Sequence, residues 1–196
     1  DEFEKNNTET YVYGLEESYG YKVEKEVMDK DGVSAAAMCA EMTLYWASKG
    51  KSILEHLDDM YKEFGFFEDR AISQNFPGSA GKETMAAIMT KLRTEGLKTL
   101  GGKKVLCIKD IGNAVFYDPE KPNEKTEIKL PKSNVLQFVL EGGTIVSARP
   151  SGTEPKIKFY INARTDAANG LDAAKAESGK VCDAITADIK DLLSKA

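Results

Sequence analysis

Histidine is nearly absent from this 196-residue chain: His56 is the only one, and it sits in a helical segment. A chain with one histidine cannot build most His-dependent triads or His-rich metal centres, so His56 is read as structural. Cysteine is scarce too. Cys39, Cys107 and Cys182 lie far apart in largely apolar surroundings without paired spacing, which excludes a disulfide framework or zinc knuckle and leaves three buried free thiols as the expectation. Positive charge is in deficit: the net charge is -5 and the sequence pI about 5.2. No broad basic field is available to draw in a nucleic-acid backbone or an anionic membrane, so any anion site must be local. Long apolar runs are missing as well. None approaches the roughly 20 residues of a membrane span, and the opening DEFEKNNTET is acidic and polar, unlike a signal peptide. The expected setting is cytoplasmic. What is present is a 41% hydrophobic fraction, enough for one good-sized core or two small ones.

The first third of the chain reads as a strand, ETYVYGL, the turn EESYGYK, and a helix from about residue 33 to 48. Val33, Ala37, Ala40, Leu44 and Ala47 recur at steps of three and four and predict one buried face, ended by Gly50. A second helix begins at Ser52, where Ser52 and Glu55 form a capping box, and its apolar stripe is Ile53, Leu57, Met60 and Phe64, with Gly65 as the stop. The aromatic residues Trp46, Tyr61, Phe64, Phe66 and Phe67 are expected to pack between elements. A domain boundary falls near Gly65, dividing residues 1–65 from 66–196, with GFFEDR as a hinge. Beyond it come a short extended run near 70–76, the breaker PGSAG, and a helix carrying Met85, Ile88 and Leu92. Strands follow over 104–109 and 114–117, then a solvated, mobile loop, DPEKPNEKTE. Leu136, Phe138 and Leu140 alternate up to the turn EGG; Ile157, Phe159 and Ile161 alternate again, leaving Lys156, Lys158 and Tyr160 on the opposite face. A last helix from Leu171 to Ala196 turns Val181, Ala184, Ile185, Ile189 and Leu192 inward. Strands and helices mix as α+β rather than alternating in long βαβ units.

Between the last two strands sits RPSGTEP, Arg149 to Pro155. A guanidinium fork, two hydroxyls and a glycine that lets the backbone approach closely suit the tetrahedral oxygens of a phosphate. An ordinary Pro-Ser-Gly turn beside solvated lysines accounts for the same residues. Upstream, Glu16 and Glu17 read as solvated charges and Lys30 as a turn lysine. Asp29 and Asp31 have an Asp-x-Asp spacing, but acidic residues before a helix favour its N-terminus, and no metal site is assigned to them.

RPSGTEPKIKFYI resembles the phosphate-binding loop in the last domain of the α-D-phosphohexomutases, the phosphoglucomutase/phosphomannomutase family. LEESYG, Leu15 to Gly20, resembles the sugar-binding loop of the family's third domain, and DKDG, Asp29 to Gly32, resembles the segment that carries a lysine into the active site. The resemblance covers essentially the whole chain. It implies the C-terminal part of an α/β domain 3 followed by a TATA-binding-protein-like α+β domain 4; that fold likeness carries no DNA binding with it. It implies that Glu16 and Ser18 hold sugar hydroxyls, that Arg149, Ser151, Gly152 and Thr153 clamp the phosphate not being transferred, with Lys158 supplementing their charge, and that Lys30 contacts the reacting end.

The family transfers phosphate through a serine in a Thr-x-Ser-His-Asn-Pro-like loop and through magnesium held by an Asp-Gly-Asp-like loop. Neither motif occurs here: Leu57 follows the histidine, and Val33 follows the one Asp-Gly. The implication is a C-terminal piece of a larger intramolecular phosphotransferase, beginning partway through the third domain and partnered by the missing N-terminal mutase domains. Hexose 1-phosphate and hexose 6-phosphate are its expected substrates, glucose 1,6-bisphosphate its intermediate or activator, and magnesium a cofactor of the parent rather than of this piece. The alternative is a stand-alone phosphosugar-binding module without catalysis.

Overall fold

A computed structural model describes residues 10–16, 19–78 and 80–195, and the chain divides into two compact units, Asp1–Asp59 and Met60–Ala196. In the first, strands β1 (Gly14–Glu16) and β2 (Gly20–Lys22) form a hairpin with Glu16 opposite Gly20. The expected strand is thus only its last part, because Thr10 to Tyr13 have no strand pairing. Helix α1 (Gly32–Ser48) starts where Asp31 caps it: the carboxylate accepts from the amides of Val33 at 2.9 Å and Ser34 at 3.1 Å. Helix α2 (Ile53–Phe64) starts on the expected capping box, with Ser52 N–H donating to Glu55 Oε2 at 2.7 Å and Glu55 N–H donating to Ser52 Oγ at 3.1 Å.

The predicted buried face of α1 is not buried. Ala35 is its one buried residue among those described, while Val33 is 81% and Leu44 72% exposed, and Ala37, Ala40 and Ala47 are exposed as well. Periodicity reports what a helix can bury, whereas burial also needs a covering element, and no described residue covers this face. On α2, Ile53 and Leu57 are half-buried but Met60 and Phe64 are exposed. Trp46 stacks on His56 with ring centroids 3.6 Å apart, and Tyr61 meets Phe66 edge-on at 4.8 Å. Phe64 and Phe67 are exposed instead of packed.

The second unit is an antiparallel sheet with two helices on one face. In chain order, strands β3 (Phe66–Asn75), β4 (Thr99–Leu100), β5 (Lys103–Asp110), β6 (Val115–Tyr117), β7 (Thr126–Glu127), β8 (Leu136–Leu140), β9 (Ile145–Pro150) and β10 (Lys156–Thr165) pair in the order β3-β10-β9-β8-β5-β6-β7, with β4 on β5. Helices α3 (Gly81–Thr94) and α4 (Leu171–Ser194) cover the face on which Leu136, Phe138, Leu140, Ile157, Phe159 and Ile161 are sealed from water. On α4, Cys182 rather than Ala184 completes the inward stripe; burial pushes its thiol up to about 11, with the nearby Glu68 adding to the effect. Of the other thiols, Cys107 is half-buried and Cys39 exposed, so the expectation of three buried cysteines holds for one.

GFFEDR is strand from Phe66 onward rather than the expected turn. Phe66 to Asn75 pair without interruption with Lys156 to Thr165 and form one edge of the sheet. Gly65 stops α2 just before that strand, at φ +98°, where a Cβ would stand 2.9 Å from the Thr165 carbonyl oxygen. Arg164 donates from Nε and Nη2 to the Phe64 carbonyl at 3.2 and 3.1 Å. The loop after β6 is likewise pinned, by turns at Asp118 and Lys121 and by β7 within it.

Candidate functional site

Two clusters of polar side chains correspond to the residues singled out in the sequence. The first lies on the β1-β2 hairpin, where Glu16 and Lys30 form an ion pair between partly exposed side chains. The Asp31 amide donates to the Tyr21 carbonyl at 2.8 Å, which ties the Asp29–Gly32 turn to β2 and brings Lys30 across to Glu16. Gly20 makes room for the crossing: a Cβ there would come within 2.6 Å of Glu16 Oε1 and 2.7 Å of Lys30 Cδ. Ser18, expected beside Glu16, lies outside the described residues.

The second cluster is built by the turn between β9 and β10. The ladder places Lys158 directly opposite Arg149 and Tyr160 opposite Ser147, so one uncovered face of the sheet carries Arg149, Lys158 and Tyr160 side by side. Among the described residues neither Arg149 nor Lys158 has a carboxylate within ion-pair distance. Like charges directly opposite on adjacent strands destabilise a sheet. An anion would relieve that repulsion.

The turn holds its shape through its own backbone. Ser151 N–H donates to the Lys156 carbonyl at 2.7 Å, Lys156 N–H to the Glu154 carbonyl at 2.8 Å, and Ser151 Oγ accepts from the amides of Thr153 and Glu154 at 3.4 and 3.2 Å. A cavity of about 280 Å³ opens beside it, lined by four of the sequence-selected residues, Arg149, Ser151, Gly152 and Lys158. Thr153 does not line the cavity, its hydroxyl lying 3.5 Å from that of Ser151. The other four lining residues, Pro150, Glu154, Lys156 and Tyr160, were not among the candidate site residues. Strand alternation had put Lys156 and Tyr160 on the face of Lys158, which was the signal available for them. Glu154 gave none. It stands 3.7 Å from Lys156, so one lysine of the site carries a partial counter-charge.

The described residues do not fit a resident magnesium ion. No three His, Cys, Asp or Glu side chains among them converge on a metal position, and the Asp31 carboxylate is occupied by the two α1 amides. The buried Asp110 is also spoken for, accepting from Asn113 Nδ2 at 2.5 Å and Arg93 Nε at 3.3 Å.

Both clusters fall within stretches that match known proteins. The family model described as "Phosphoglucomutase/phosphomannomutase, C-terminal domain" matches residues 83–177, and that described as "Phosphoglucomutase/phosphomannomutase, alpha/beta/alpha domain III" matches residues 2–64. The chain belongs to the phosphoglucomutase/phosphomannomutase family. It corresponds to the C-terminal part of such a protein, with the mixed α+β fold expected for domains III and IV. A phosphoglucomutase of Staphylococcus haemolyticus (strain JCSC1435) is 32% identical over 163 residues, which are 83% of this chain and 29% of that protein. One from Staphylococcus aureus (strain USA300) is 36% identical over 157 residues, 78% of this chain and 27% of that one. The chain thus spans less than a third of the phosphoglucomutases it matches. In fold it is similar to the open form of pp63/parafusin, a phosphoglucomutase from Paramecium, at a TM-score of 0.55 and 18% identity over 91% of this chain and 28% of that one. Among the described residues no helix of this family member is long and apolar enough to cross a membrane.

Proposed function

We propose that this chain is the substrate-holding C-terminal part of a phosphohexomutase that interconverts hexose 1-phosphate and hexose 6-phosphate. The observation that carries the reading is the facing pair Arg149 and Lys158, two cations in register, without carboxylate partners among the described residues, beside the Ser151 hydroxyl and an open cavity. In this reading Arg149, Ser151, Gly152, Thr153 and Lys158 clamp the phosphate that is not being transferred. A guanidinium fork and hydroxyl donors match its oxygens. Gly152 fits the role because a Cβ there would meet nothing within 4 Å, so its lack of a side chain answers no need of the fold. Glu16 accepts from sugar hydroxyls together with Ser18, and Lys30, paired with Glu16, serves the reacting end.

In the parent enzyme a phosphoserine gives its phosphoryl group to the sugar. The resulting glucose 1,6-bisphosphate turns round, and its other phosphoryl group returns to serine. The serine, the magnesium ligands and the remaining domains are assigned to other parts of the polypeptide, in a cytoplasmic enzyme. Positioning and charge neutralisation, the tasks given to this part, supply much of the catalysis of phosphoryl transfer. A clamp that recognises phosphate and ignores the rest of the sugar also suits an intermediate that must bind in two orientations.

The test is an amide NMR titration of the labelled chain with glucose 6-phosphate, alongside the same measurement on Arg149→Ala. Saturable shifts over residues 149–158 that weaken by about tenfold or more in the variant are expected, since hydrogen bonds to a charged group contribute about 1.5–3 kcal/mol. Binding by the longer parent protein that survives Arg149→Ala unchanged would sink the clamp.

A further inference from the structure

Resting on the phosphate-clamp reading, we propose that Tyr160 is a positioning residue that holds the Lys158 ammonium at the cavity. Lys158 Nζ lies 5.7 Å from the centroid of the Tyr160 ring, within range of a cation–π contact, and both residues line the same cavity.

The ladder explains why the lysine goes there. On β9 its opposite number is Arg149, whose charge repels it; on β3 its neighbour is Ser73, too short to hold an ammonium and without charge. Two residues along β10 on the same face, Tyr160 stands between Ser147 on one side and Ala71 on the other. Neither is bulky enough to crowd the ring, and Ser147 Oγ is taken up by Gln137 Nε2 at 3.2 Å. The ring's negative face is therefore a favourable surface beside Lys158. A free lysine gives up considerable rotamer entropy when an anion fixes it. One already laid over a ring gives up less, so the tyrosine lowers the cost of drawing the second cation onto a phosphate. Tyr160 needs no contact with the ligand for this, and its hydroxyl plays no part.

The chain as it stands is titrated with inorganic phosphate at fixed low ionic strength, comparing wild type, Tyr160→Phe, Tyr160→Leu, Lys158→Ala and the Tyr160→Leu/Lys158→Ala pair. Tyr160→Phe is expected to bind like wild type, and Tyr160→Leu about two- to fivefold more weakly, the fold-change of an exposed cation–π contact. In the Lys158→Ala background, Tyr160→Leu is expected to change nothing. A second readout does not depend on binding: the Lys158 side-chain methylene protons should be shifted upfield by the ring in wild type and Tyr160→Phe, and lose that shift in Tyr160→Leu.

An equal loss with and without Lys158 overturns the proposal, because Tyr160 would then touch the ligand or merely support the strand. So does an unshifted Lys158 in wild type. Phosphate binding that is normal in Tyr160→Leu and lost in Arg149→Ala overturns the role of Tyr160 and keeps the clamp. Failure of wild type itself to bind, in the chain and in the parent enzyme, overturns the clamp and this role with it.

Discussion

Arg149 and Lys158 face each other across two hydrogen-bonded strands, an arrangement a sheet selected for stability alone would avoid. The residues between them sharpen the point. Gly152 has ample space around it and an ordinary backbone conformation, so nothing in the fold asks for glycine. Gly152→Ala should therefore leave the denaturation midpoint almost unchanged, within about 0.5 kcal/mol, or raise it slightly by restricting the unfolded chain. If a phosphate approaches the backbone at this position, the same substitution should weaken glucose 6-phosphate binding at least severalfold by calorimetry. A variant that binds normally would show that the ligand does not come close to Gly152. The contrast with Gly65 is instructive, because there the fold itself forbids a Cβ.

The elements differ in how far their apolar faces are used. On β8 every inward side chain is sealed, and Phe138 sits at the centre of the sheet with no exposed surface. Phe138→Ala is expected to cost about 3–5 kcal/mol in chemical denaturation. Helix α1 presents a comparable apolar sequence but buries one residue among those described, so Leu44→Gln should fall within about 0.5 kcal/mol of wild type. A large loss at Leu44 would mean that its face is covered in solution. The strand formed by GFFEDR makes the same point in reverse: a stretch with an irregular pattern becomes a full edge strand because β10 offers it a ten-residue partner. Its charges suit an edge that must not pair further: Asp69 is exposed on the open face, while Arg70 on the helix side donates from Nη1 to Asp183 at 2.5 Å.

At the scale of the whole molecule, the two units should differ in cooperativity. The unit Met60–Ala196 contains the continuous core of the sheet and the helices α3 and α4, whereas the described residues of the first unit bury little. Native-state hydrogen exchange is expected to be slowest in β8, β9 and β10 and markedly faster in α1, since local opening follows buried apolar contact. Uniform protection across both units would contradict that ranking.

Much of this was legible in the amino-acid sequence because it is encoded locally. The capping box Ser52/Glu55, the alternation of Ile157, Phe159 and Ile161 and the glycine stop at Gly65 each depend on residues a few positions apart, and each is found where local rules put it; the loop Arg149–Thr153 was equally local, and all of it but Thr153 lines the cavity. Tertiary structure decided the rest. Which residue faces Arg149, which side chain crosses to Glu16, whether α1 is covered and where Tyr160 places a lysine all depend on groups brought together from distant parts of the chain, or on groups that must cover them. Periodicity specifies what a segment can offer. Pairing register and the presence of a partner surface decide what it meets.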